Sequence, residues 1–325
     1  MKPRITILSL GGTIAGKGSP GKTQGYRPGQ LDVPSLLQTA PEIENLAELA
    51  GEMLFAINSS DMDDGARCLL AARIGELAEA DRADGFVIAH GTNTLEETAY
   101  FLHLVLKTEK PVVITGAMRP STALSADGPM NLYQAVALAA GGQAAGKGVL
   151  TVFSDRIFSA RDVQKVSPFA PDAFSSREFG CMGYLRDDQA YLYYESTRRH
   201  TVNTPFTVDR DTALPRVGVA FYASGADPDM LSRLLDTCDG VVIAGAGNGS
   251  VSGAWKQVLL DRAGEGKPVV AASRIGTGIV GPVIEMPPFV IPGDTLSPQK
   301  ARLLLALAMT VTREPARIRE MFSLY

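Results

Sequence analysis

Two threonine hydroxyls follow apolar segments of the chain and are candidates for nucleophilic chemistry. Thr13 follows the apolar run at residues 5–10, in Gly-Gly-Thr-Ile-Ala-Gly, and Thr92 follows the run at residues 86–89, in His-Gly-Thr-Asn-Thr. A threonine hydroxyl is a weak nucleophile that requires a base within hydrogen-bond reach. One hydroxyl at the end of a strand is more often structural than catalytic, but two in comparable positions favour an active site.

The stretch from residue 86 to residue 101 predicts a buried strand, a polar loop and a helix. Residues 86–89 form a short apolar run between glycines, which is typical of a parallel strand covered on both faces. Thr94 and Glu97 have the spacing of a capping box, so we expect the helix to begin there. Thr92 and Asn93 then lie at the carboxyl end of a strand and beside a helix N-terminus, where open α/β sheets bind ligands.

The loop at residues 17–30 is the predicted lid of this site. It is rich in Gly, Pro, Ser and Lys, and Tyr26 is its single aromatic residue. A loop of this length and polarity is usually a lid or a disordered segment, and the tyrosine favours the lid. The competing interpretation, a nucleotide-binding turn around Thr13, lacks support because neither the G-x-G-x-x-G spacing nor a P-loop occurs.

Strand and helix patterns alternate in two blocks along the chain. Predicted strands lie near residues 5–10, 55–58, 86–89, 112–115 and 149–153, and again near residues 217–221, 241–244 and 269–272. This alternation implies right-handed crossovers and parallel sheets. The predicted fold class is α/β: a larger N-terminal doubly wound, mostly parallel sheet domain at residues 1–195, a linker at 196–214, and a smaller C-terminal α/β domain at 215–325.

The composition is that of an ordinary globular protein. The chain has 325 residues, of which 45% are hydrophobic and 20% charged, and its formal net charge is −4. The mixed charges contain no basic patch for nucleic acid, no apolar run reaches the roughly 20 residues of a membrane span, and no signal peptide pattern is present. We therefore expect a cytoplasmic enzyme that acts on a small molecule, without nucleic-acid or membrane partners.

Neither the cysteines nor the histidines have the spacing of a metal site. The three cysteines are widely separated and form no disulfide framework: Cys68, Cys181 and Cys238. The three histidines are equally scattered, and His90 is interpreted as a local hydrogen-bonding residue. We expect no metal and no cofactor.

Several short motifs together resemble those of a known family. They are Gly11-Gly12-Thr13-Ile14-Ala15, Gly25-Tyr26, Ser59-Ser60-Asp61-Met62, His90-Gly91-Thr92-Asn93-Thr94, Ile114-Thr115-Gly116-Ala117-Met118-Arg119, Arg161-Asp162-Val163-Gln164-Lys165, Gly247-Asn248-Gly249 and Ser273-Arg274. The set is similar to the bacterial L-asparaginases and extends from the first strand to the last helix.

The resemblance implies a threonine-dependent amidohydrolase that converts L-asparagine to L-aspartate and ammonia. By matching motifs, Thr13 is the implied nucleophile, polarised by Tyr26 of the lid. Thr92 with Lys165 is the implied second catalytic group. These assignments agree with the chemistry that the residue types allow, because Tyr26 and Lys165 can handle protons and glycine-rich backbone can donate to the amide oxygen.

The resemblance also implies the residues that bind the substrate. Ser59 would bind its α-carboxylate, Ser60 would lie near its α-amino group, and the backbone of Ala117 would contact the side-chain amide. Asn248 is a further implied substrate-binding residue. Glu285 falls where the family places a carboxylate donated across a dimer interface, and the implied assembly is a dimer of dimers.

Asn93 is the main departure from the family pattern, which has aspartate at this position. Without the negative charge, the neutral form of Lys165 is easier to populate. Loss of one partner of a charge pair, however, typically costs about 2–5 kcal/mol, and we expect this cost to weaken substrate binding. The hypothesis is weak activity on L-asparagine, or preference for a substrate whose amino group is absent, blocked or differently placed. The alternatives are a catalytically impaired amino-acid binding protein and an amidohydrolase for D-asparagine, glutamine or an N-substituted asparagine.

Overall fold

The structure is a computed structural model that describes residues 1–176, 178–262, 265–282 and 286–325. It divides into two compact units, Met1–Thr212 and Ala213–Tyr325. The division falls within the predicted linker at residues 196–214, whose bounds stay a prediction. Each unit is described by itself below.

The first unit contains strands and helices in alternation. Their bounds are β1 Arg4–Gly11, α1 Val33–Leu37, β2 Glu48–Ile57, α2 Asp64–Glu79, β3 Gly85–Ala89, α3 Leu95–Val105, β4 Val112–Thr115, α4 Gly128–Ala140, β5 Val149–Phe153, β6 Arg156–Ser159, β7 Gln164–Lys165, β8 Phe174–Ser175, β9 Gly183–Arg186 and β10 Gln189–Leu192. Short 3-10 helices occur at Pro41–Asn45, Ser59–Asp61 and Thr201–Asn203.

The main sheet of this unit has eight strands in the order β10-β9-β6-β5-β4-β3-β1-β2. Strands β1 to β5 pair in parallel, whereas β6, β9 and β10 extend the sheet by antiparallel pairing. The strand order reverses at β1, which has β2 on one side and β3 on the other. Ligands of open α/β sheets bind at such a point, outside the carboxyl ends of the strands.

Burial explains why the central strands are nearly continuous apolar runs. Every residue of β3 and of β5 is buried. Leu132 and Val136 of α4 belong to the same buried apolar cluster as Ile7, Val87 and Val113 of the sheet. A parallel strand that is covered on both faces has no position for an exposed polar side chain, so the pattern is apolar throughout.

The second unit has its own parallel sheet and helices. Their bounds are β11 Val217–Phe221, α5 Pro228–Thr237, β12 Gly240–Gly245, α6 Gly253–Asp261, β13 Val269–Ser273, β14 Ile291–Pro292, α7 Pro298–Val311 and α8 Pro315–Leu324. The four strands follow the order β11-β12-β13-β14 and pair in parallel. The predicted α/β fold class, with a larger mostly parallel N-terminal sheet and a smaller C-terminal α/β part, is confirmed.

One local prediction about elements is incomplete and another is wrong. Residues 55–57 of the short strand predicted at residues 55–58 are the end of β2, which begins at Glu48 and ends at Ile57. Its first half was not recognised because β2 lies at the edge of the sheet, and its partly exposed residues do not form an apolar run. The predicted capping box is also absent: Thr94 precedes α3 without a side-chain cap, because its hydroxyl donates to Ser59 O at 2.6 Å, while Glu97 pairs with Arg67.

The segments after β1 and β3 touch backbone to backbone. Gly12 has a φ of +73°, and a Cβ on it would lie 2.3 Å from Gly91 Cα. A Cβ on Gly91 would in turn lie 2.7 Å from Ser59 Oγ. Neither position has room for a side chain, so the two glycines set how closely Thr13 and Thr92 approach each other.

We expect Gly12→Ala to lower the free energy of unfolding more than Gly142→Ala. Gly142 has nearly the same φ, +74°, but a Cβ there meets nothing within 4 Å. Both variants bear the left-handed backbone penalty of about 1–2 kcal/mol, and only Gly12→Ala adds overpacking, typically about 1–3 kcal/mol. Denaturant unfolding measures the difference. Equal losses in the two variants would show that the backbone contact carries no energetic weight.

Candidate active site

A cavity of about 150 Å³ lies at the carboxyl ends of β1 and β3. It occupies the point at which the strand order reverses, as expected for an open α/β sheet. The loop after β1, the lid, the segment after β2 and the loop after β3 all contribute to it. Its described lining consists of Gly12, Thr13, Tyr26, Pro28, Asn58, Ser59, Gly91, Thr92 and Asn93.

Thr13 is paired with Tyr26 of the lid. The Thr13 Oγ1 and Tyr26 Oη atoms are 2.5 Å apart, and either can be the donor. Thr13 is buried, whereas Tyr26 is partly exposed. Because the two hydroxyls are so close, the phenol can accept the threonine proton while it donates its own phenolic proton to another group. The pair could therefore activate Thr13 for nucleophilic attack.

The predicted lid folds back on itself and contacts Thr13 through Tyr26. Lys17 and Arg27 exchange backbone hydrogen bonds of 3.1 and 2.9 Å. A Cβ on Gly16 would lie 2.9 Å from Tyr26 Cδ2, and one on Gly18 would lie 2.9 Å from Tyr26 Cβ. Glycine at both positions therefore lets the tyrosine pack directly on the backbone of the opposite arm.

The lid is tied to the segment that follows β4. The Gly18 amide donates to Thr122 Oγ1 at 3.0 Å, and the Gly21 amide donates to Thr122 O at 2.8 Å. Ser121 Oγ donates to Gly16 O at 3.0 Å. Sequence reasoning missed these contacts because they join residues about a hundred positions apart.

Thr92 is paired with Lys165, which β7 carries to the site. Lys165 Nζ donates to Thr92 Oγ1 at 2.8 Å and to Asn93 Oδ1 at 3.0 Å. Glu96 Oε2 accepts from the Lys165 backbone amide at 2.6 Å and so fixes the lysine in place. Burial lowers the pKa of Lys165, and the negative charge of Glu96 opposes this shift. A neutral lysine amine is thereby more accessible and can act as a base toward Thr92.

Ser59 joins the segments after β2 and β3. Ser59 Oγ accepts from the Asn93 backbone amide at 3.2 Å. Asn93 Nδ2 donates to Ser60 Oγ at 3.4 Å. Asn58, which also lines the cavity, accepts from the Ser60 amide through its side chain at 3.3 Å. Asn58 was not predicted, although its position beside Ser59 at the end of a strand was a usable signal.

His90 supports the Thr92 loop as a neutral side chain. It is buried, and burial lowers its pKa to about 4. The Nδ1 atom lies 2.6 Å from Gly91 O, so the neutral ring carries its proton there and accepts at Nε2 from the Thr98 hydroxyl, 2.9 Å away. The predicted local hydrogen-bonding role of His90 agrees with these contacts.

The structure brings most of the predicted site residues together. Thr13, Tyr26, Ser59, Thr92 and Asn93 line the cavity, and Ser60 and Lys165 bond to Asn93.

The three remaining predicted residues are not among those that the structure brings together within the first unit. Ala117 is fully buried and is not part of the described lining. Asn248 belongs to the second unit, where its side chain accepts from the Gly281 amide at 3.1 Å. Glu285 lies outside the described residues. The roles of all three stay predictions.

A larger depression, of about 770 Å³, lies beside β10 and is lined by tyrosines. Its Lys147 and Glu195 form an ion pair with each other at 2.5 Å. The smaller cavity is lined by Thr13, Tyr26 and Thr92, and Lys165 bonds to Thr92 beside it, so it is the stronger candidate for an active site. Across the described ranges, His, Cys, Asp and Glu side chains form no group of three that could hold a metal ion, and no helix there is long and apolar enough to cross a membrane.

The fold and the cavity define an α/β protein with a small polar ligand site at the reversal of its strand order. A family model described as "Asparaginase, N-terminal" matches residues 4–198, and one described as "Glutaminase/Asparaginase C-terminal domain" matches residues 216–322. The chain belongs to the asparaginase family.

Individual relatives are similar over nearly their whole length. The chain is 44% identical to the "Probable L-asparaginase periplasmic" of Haemophilus influenzae, covering 98% of this chain and 92% of the relative. It is 42% identical to "L-asparaginase 2" of Escherichia coli, covering 99% and 93%. The crystal structure of a "Probable Cytoplasmic L-asparaginase from Campylobacter jejuni" aligns with a TM-score of 0.95 at 43% identity and covers 100% of both chains. The resemblance seen in the motifs is confirmed.

We expect the neutral His90 to make stability depend on pH. Its folded-state pKa of about 4 lies below the ordinary 6.5, so only the unfolded chain takes up a proton between these values. The contribution is fully present above pH 6.5 and is lost as the pH falls toward 4, by about 3 kcal/mol in all. Unfolding free energies at pH 7 and pH 4.5 should differ less in His90→Gln than in the unsubstituted protein.

His200→Gln is the matched control, because burial lowers the pKa of His200 as well but this side chain is only half-buried. Its effect on the pH dependence should be smaller. If His90→Gln unfolds with the same pH dependence as the unsubstituted protein, His90 is not the group responsible.

We expect Thr122→Val to open the lid. The change removes the acceptor of the Gly18 amide and leaves the Thr122 carbonyl in place, and the lost hydrogen bond is worth about 1 kcal/mol, or roughly fivefold in the open population. Lys17 and Lys22 are exposed in the lid, so trypsin cleavage after them reports opening, whereas Arg27 is protected by the following Pro28. Thr122→Ser keeps the hydroxyl and should be cleaved at the original rate. Equal cleavage of the Val and Ser variants would exclude this contact as a determinant of closure.

Proposed function

We propose that the protein is an amidohydrolase that converts L-asparagine and water to L-aspartate and ammonia. The observation that carries the proposal is the presence, at one small cavity, of two threonine hydroxyls that each have their own proton-handling partner. Thr13 has Tyr26 at 2.5 Å, and Thr92 has Lys165 at 2.8 Å. Membership of the asparaginase family and the names of the relatives support the same activity.

The first half of the proposed reaction forms an ester. Thr13 Oγ1 attacks the carbon of the side-chain carboxamide, and its proton goes to Tyr26, which passes its own phenolic proton to the departing nitrogen. The carbon–nitrogen bond breaks and ammonia leaves. Backbone N–H groups at the glycine-rich loops supply donors for the charge that develops on the amide oxygen.

The second half hydrolyses the ester. Neutral Lys165 accepts a proton from Thr92, and Thr92 takes one from the attacking water. Water adds to the ester carbon and the bond to Thr13 Oγ1 breaks. The proton held by Lys165 returns to Thr13, and the new carboxyl group releases its own proton to solvent. Water has then supplied the oxygen of the new carboxylate, and the threonine is regenerated. The lowered pKa of Lys165 supports the use of its neutral form.

The remaining assignments complete the proposal. Ser59 binds the substrate's α-carboxylate, Ser60 lies near the α substituent, and Ala117 contacts the amide through its backbone. Asn248 is a further substrate-binding residue, Glu285 reaches the site from a neighbouring copy in a dimer of dimers, and residues 1–195 are the catalytic domain. A cytoplasmic location is part of the proposal, although the named relatives include both a periplasmic and a cytoplasmic protein.

A binding protein that has lost turnover is the competing function. It would keep the cavity and bind an amino acid without releasing ammonia. Ammonia release from L-asparagine, measured beside calorimetric binding of L-aspartate, separates the two functions. A panel of D-asparagine, glutamine and N-substituted asparagine identifies the preferred amide in the same assay.

We expect Thr13→Val to lower kcat for ammonia release by about 10⁴-fold or more, because the variant lacks the attacking oxygen. Calorimetric binding of L-aspartate should remain within a few fold, since no charge is lost. Thr39→Val is the control: it removes a threonine hydroxyl that bonds to Leu36 O outside the cavity, and its kcat should not change. Undiminished turnover in Thr13→Val would rule out Thr13 as the nucleophile.

A further inference from the structure

A turn at residues 120–123 connects the lid to the rest of the first unit, and we call this turn the latch. It is closed by a hydrogen bond of 2.9 Å from the Ala123 amide to Pro120 O. Its Ser121 and Thr122 make hydrogen bonds to the backbone of the lid. The position of the lid therefore depends on the position of the latch.

Asp127, which precedes α4, fixes the backbone just before the latch. Its Oδ2 accepts from the Met118 amide at 2.9 Å, and its Oδ1 accepts from the Arg119 amide at 2.8 Å. Arg119 Nη1 also donates to Ser125 O at 3.1 Å, on the other side of the latch. Hydrogen bonds to a charged acceptor are stronger than those between neutral groups, and here both oxygens of one carboxylate accept from consecutive amides.

Asn131, one turn further along α4, fixes the other end of the same segment. Its Nδ2 donates to Gly116 O at 3.0 Å and to Asp127 Oδ2 at 3.3 Å. Its Oδ1 accepts from the Ser154 amide at 3.1 Å. Residues four apart lie on one face of a helix, so both side chains reach the segment from the start of α4. Because α4 packs into the core of the unit, it is a rigid support for residues 116–119.

The first residue of this segment lies against the Thr92 loop. A Cβ on Gly116 would be 2.6 Å from His90 O and 3.2 Å from Thr92 Cγ2, so there is no space between the two segments. At its other end the segment continues into the latch, which contacts the lid that carries Tyr26. The same support therefore sets the lid in place relative to the Thr92 loop.

We propose that Asp127 is a positioning residue for the Thr13–Tyr26 pair: it holds the latch, and the latch holds the lid that carries Tyr26. Asp127 is not part of the described lining of the cavity, so it acts through the backbone of residues 118–122 and not on the substrate. What Tyr26 does at Thr13 rests on the proposed function, whereas the hold on the lid does not.

Asp127→Asn tests the hold on the lid with little change in size. The carboxamide has one acceptor oxygen, and its nitrogen only donates, so at least one of the two backbone amides loses its acceptor. We expect trypsin cleavage of the folded protein after Lys17 and Lys22 to rise by about tenfold, because loss of a hydrogen bond to a charged acceptor shifts an opening equilibrium by about this factor. The latch adds no cleavage site of its own, since Arg119 is followed by Pro120.

Asp227→Asn is the matched control. Asp227 precedes α5 in the second unit, and its carboxylate accepts from the Asp229 amide at 3.0 Å. The change removes the same charge beside another helix N-terminus and should leave cleavage of the lid at the original rate. If Asp127→Asn is cleaved no faster than Asp227→Asn, the inference is overturned.

A double-mutant cycle tests whether Asp127 acts through the latch. Thr122→Val alone should raise cleavage roughly fivefold, because one hydrogen bond from the lid is lost. In Asp127→Asn the latch is already released, so adding Thr122→Val should raise cleavage by less than about twofold. A substitution that only destabilised the fold would leave the full factor in place. Independent effects of the two changes would therefore overturn the inference.

Hydrogen exchange of the unsubstituted protein decides even if Asp127→Asn does not fold. The Met118 and Arg119 amides donate to Asp127. The Gly21 amide of the lid donates to Thr122 O at 2.8 Å. If the lid needs this hold, the first two amides must be at least as protected from exchange as the Gly21 amide. Faster exchange at Met118 and Arg119 would show that the hold opens while the lid stays closed, which contradicts the inference.

Cleavage and exchange need no turnover, so they separate the inference from the proposed function. Unchanged cleavage in Asp127→Asn would leave the amidohydrolase in place without Asp127 as its support. Absence of ammonia release from L-asparagine would refute the proposed function, and the hold on the lid would still be decided by cleavage and exchange.

Discussion

The parallel pairing of β1 with β3 is the constraint on which the site depends. It places the segments after the two strands side by side, and the absence of side chains at Gly12 and Gly91 lets their backbones meet. Only then can Thr13 and Thr92 line one cavity of about 150 Å³. A side chain added at either glycine would push the two segments apart and so displace both hydroxyls, although the two glycines are far apart in sequence.

Each hydroxyl is hydrogen-bonded to a separate side chain that a different part of the chain supplies. Tyr26 comes from the predicted lid, whereas Lys165 comes from β7 and is anchored through its backbone to Glu96. Of the two pairs, only the one with Thr13 would therefore be broken by opening of this loop. In the proposed reaction, attack by Thr13 thus requires the loop in its present position, whereas the Thr92 pair can act on water with the loop in either position.

Much of the site could be predicted because its signals are local. A buried strand followed by Gly-Gly-Thr or His-Gly-Thr is readable within a few residues, and the fold class follows from the alternation of such strands with helices. The missed features are contacts between distant segments: Thr122 with the lid, and the Thr94 hydroxyl with Ser59 O instead of its own helix. The residues of the capping box have the right spacing, but the Thr94 hydroxyl bonds to an acceptor from a distant segment, which the sequence does not reveal. The first half of the edge strand β2 was not predicted, because a strand that is partly exposed does not need a continuous apolar run.

The carboxamide of Asn93 contacts Lys165, so in the proposed function this residue bears on both the basicity of the lysine and the recognition of the substrate. A carboxylate there would attract a substrate ammonium, but it would also stabilise the charged form of the lysine and oppose its use as a base. With Asn93, the lysine keeps a hydrogen-bond acceptor at 3.0 Å without a counter-charge, and burial lowers its pKa against the opposing charge of Glu96. On the hypothesis that an uncharged residue here weakens the attraction for an amino acid, the same residue also favours the neutral lysine. The two effects are separable in principle, because the first depends on what the substrate presents at its α carbon and the second is present before any substrate binds.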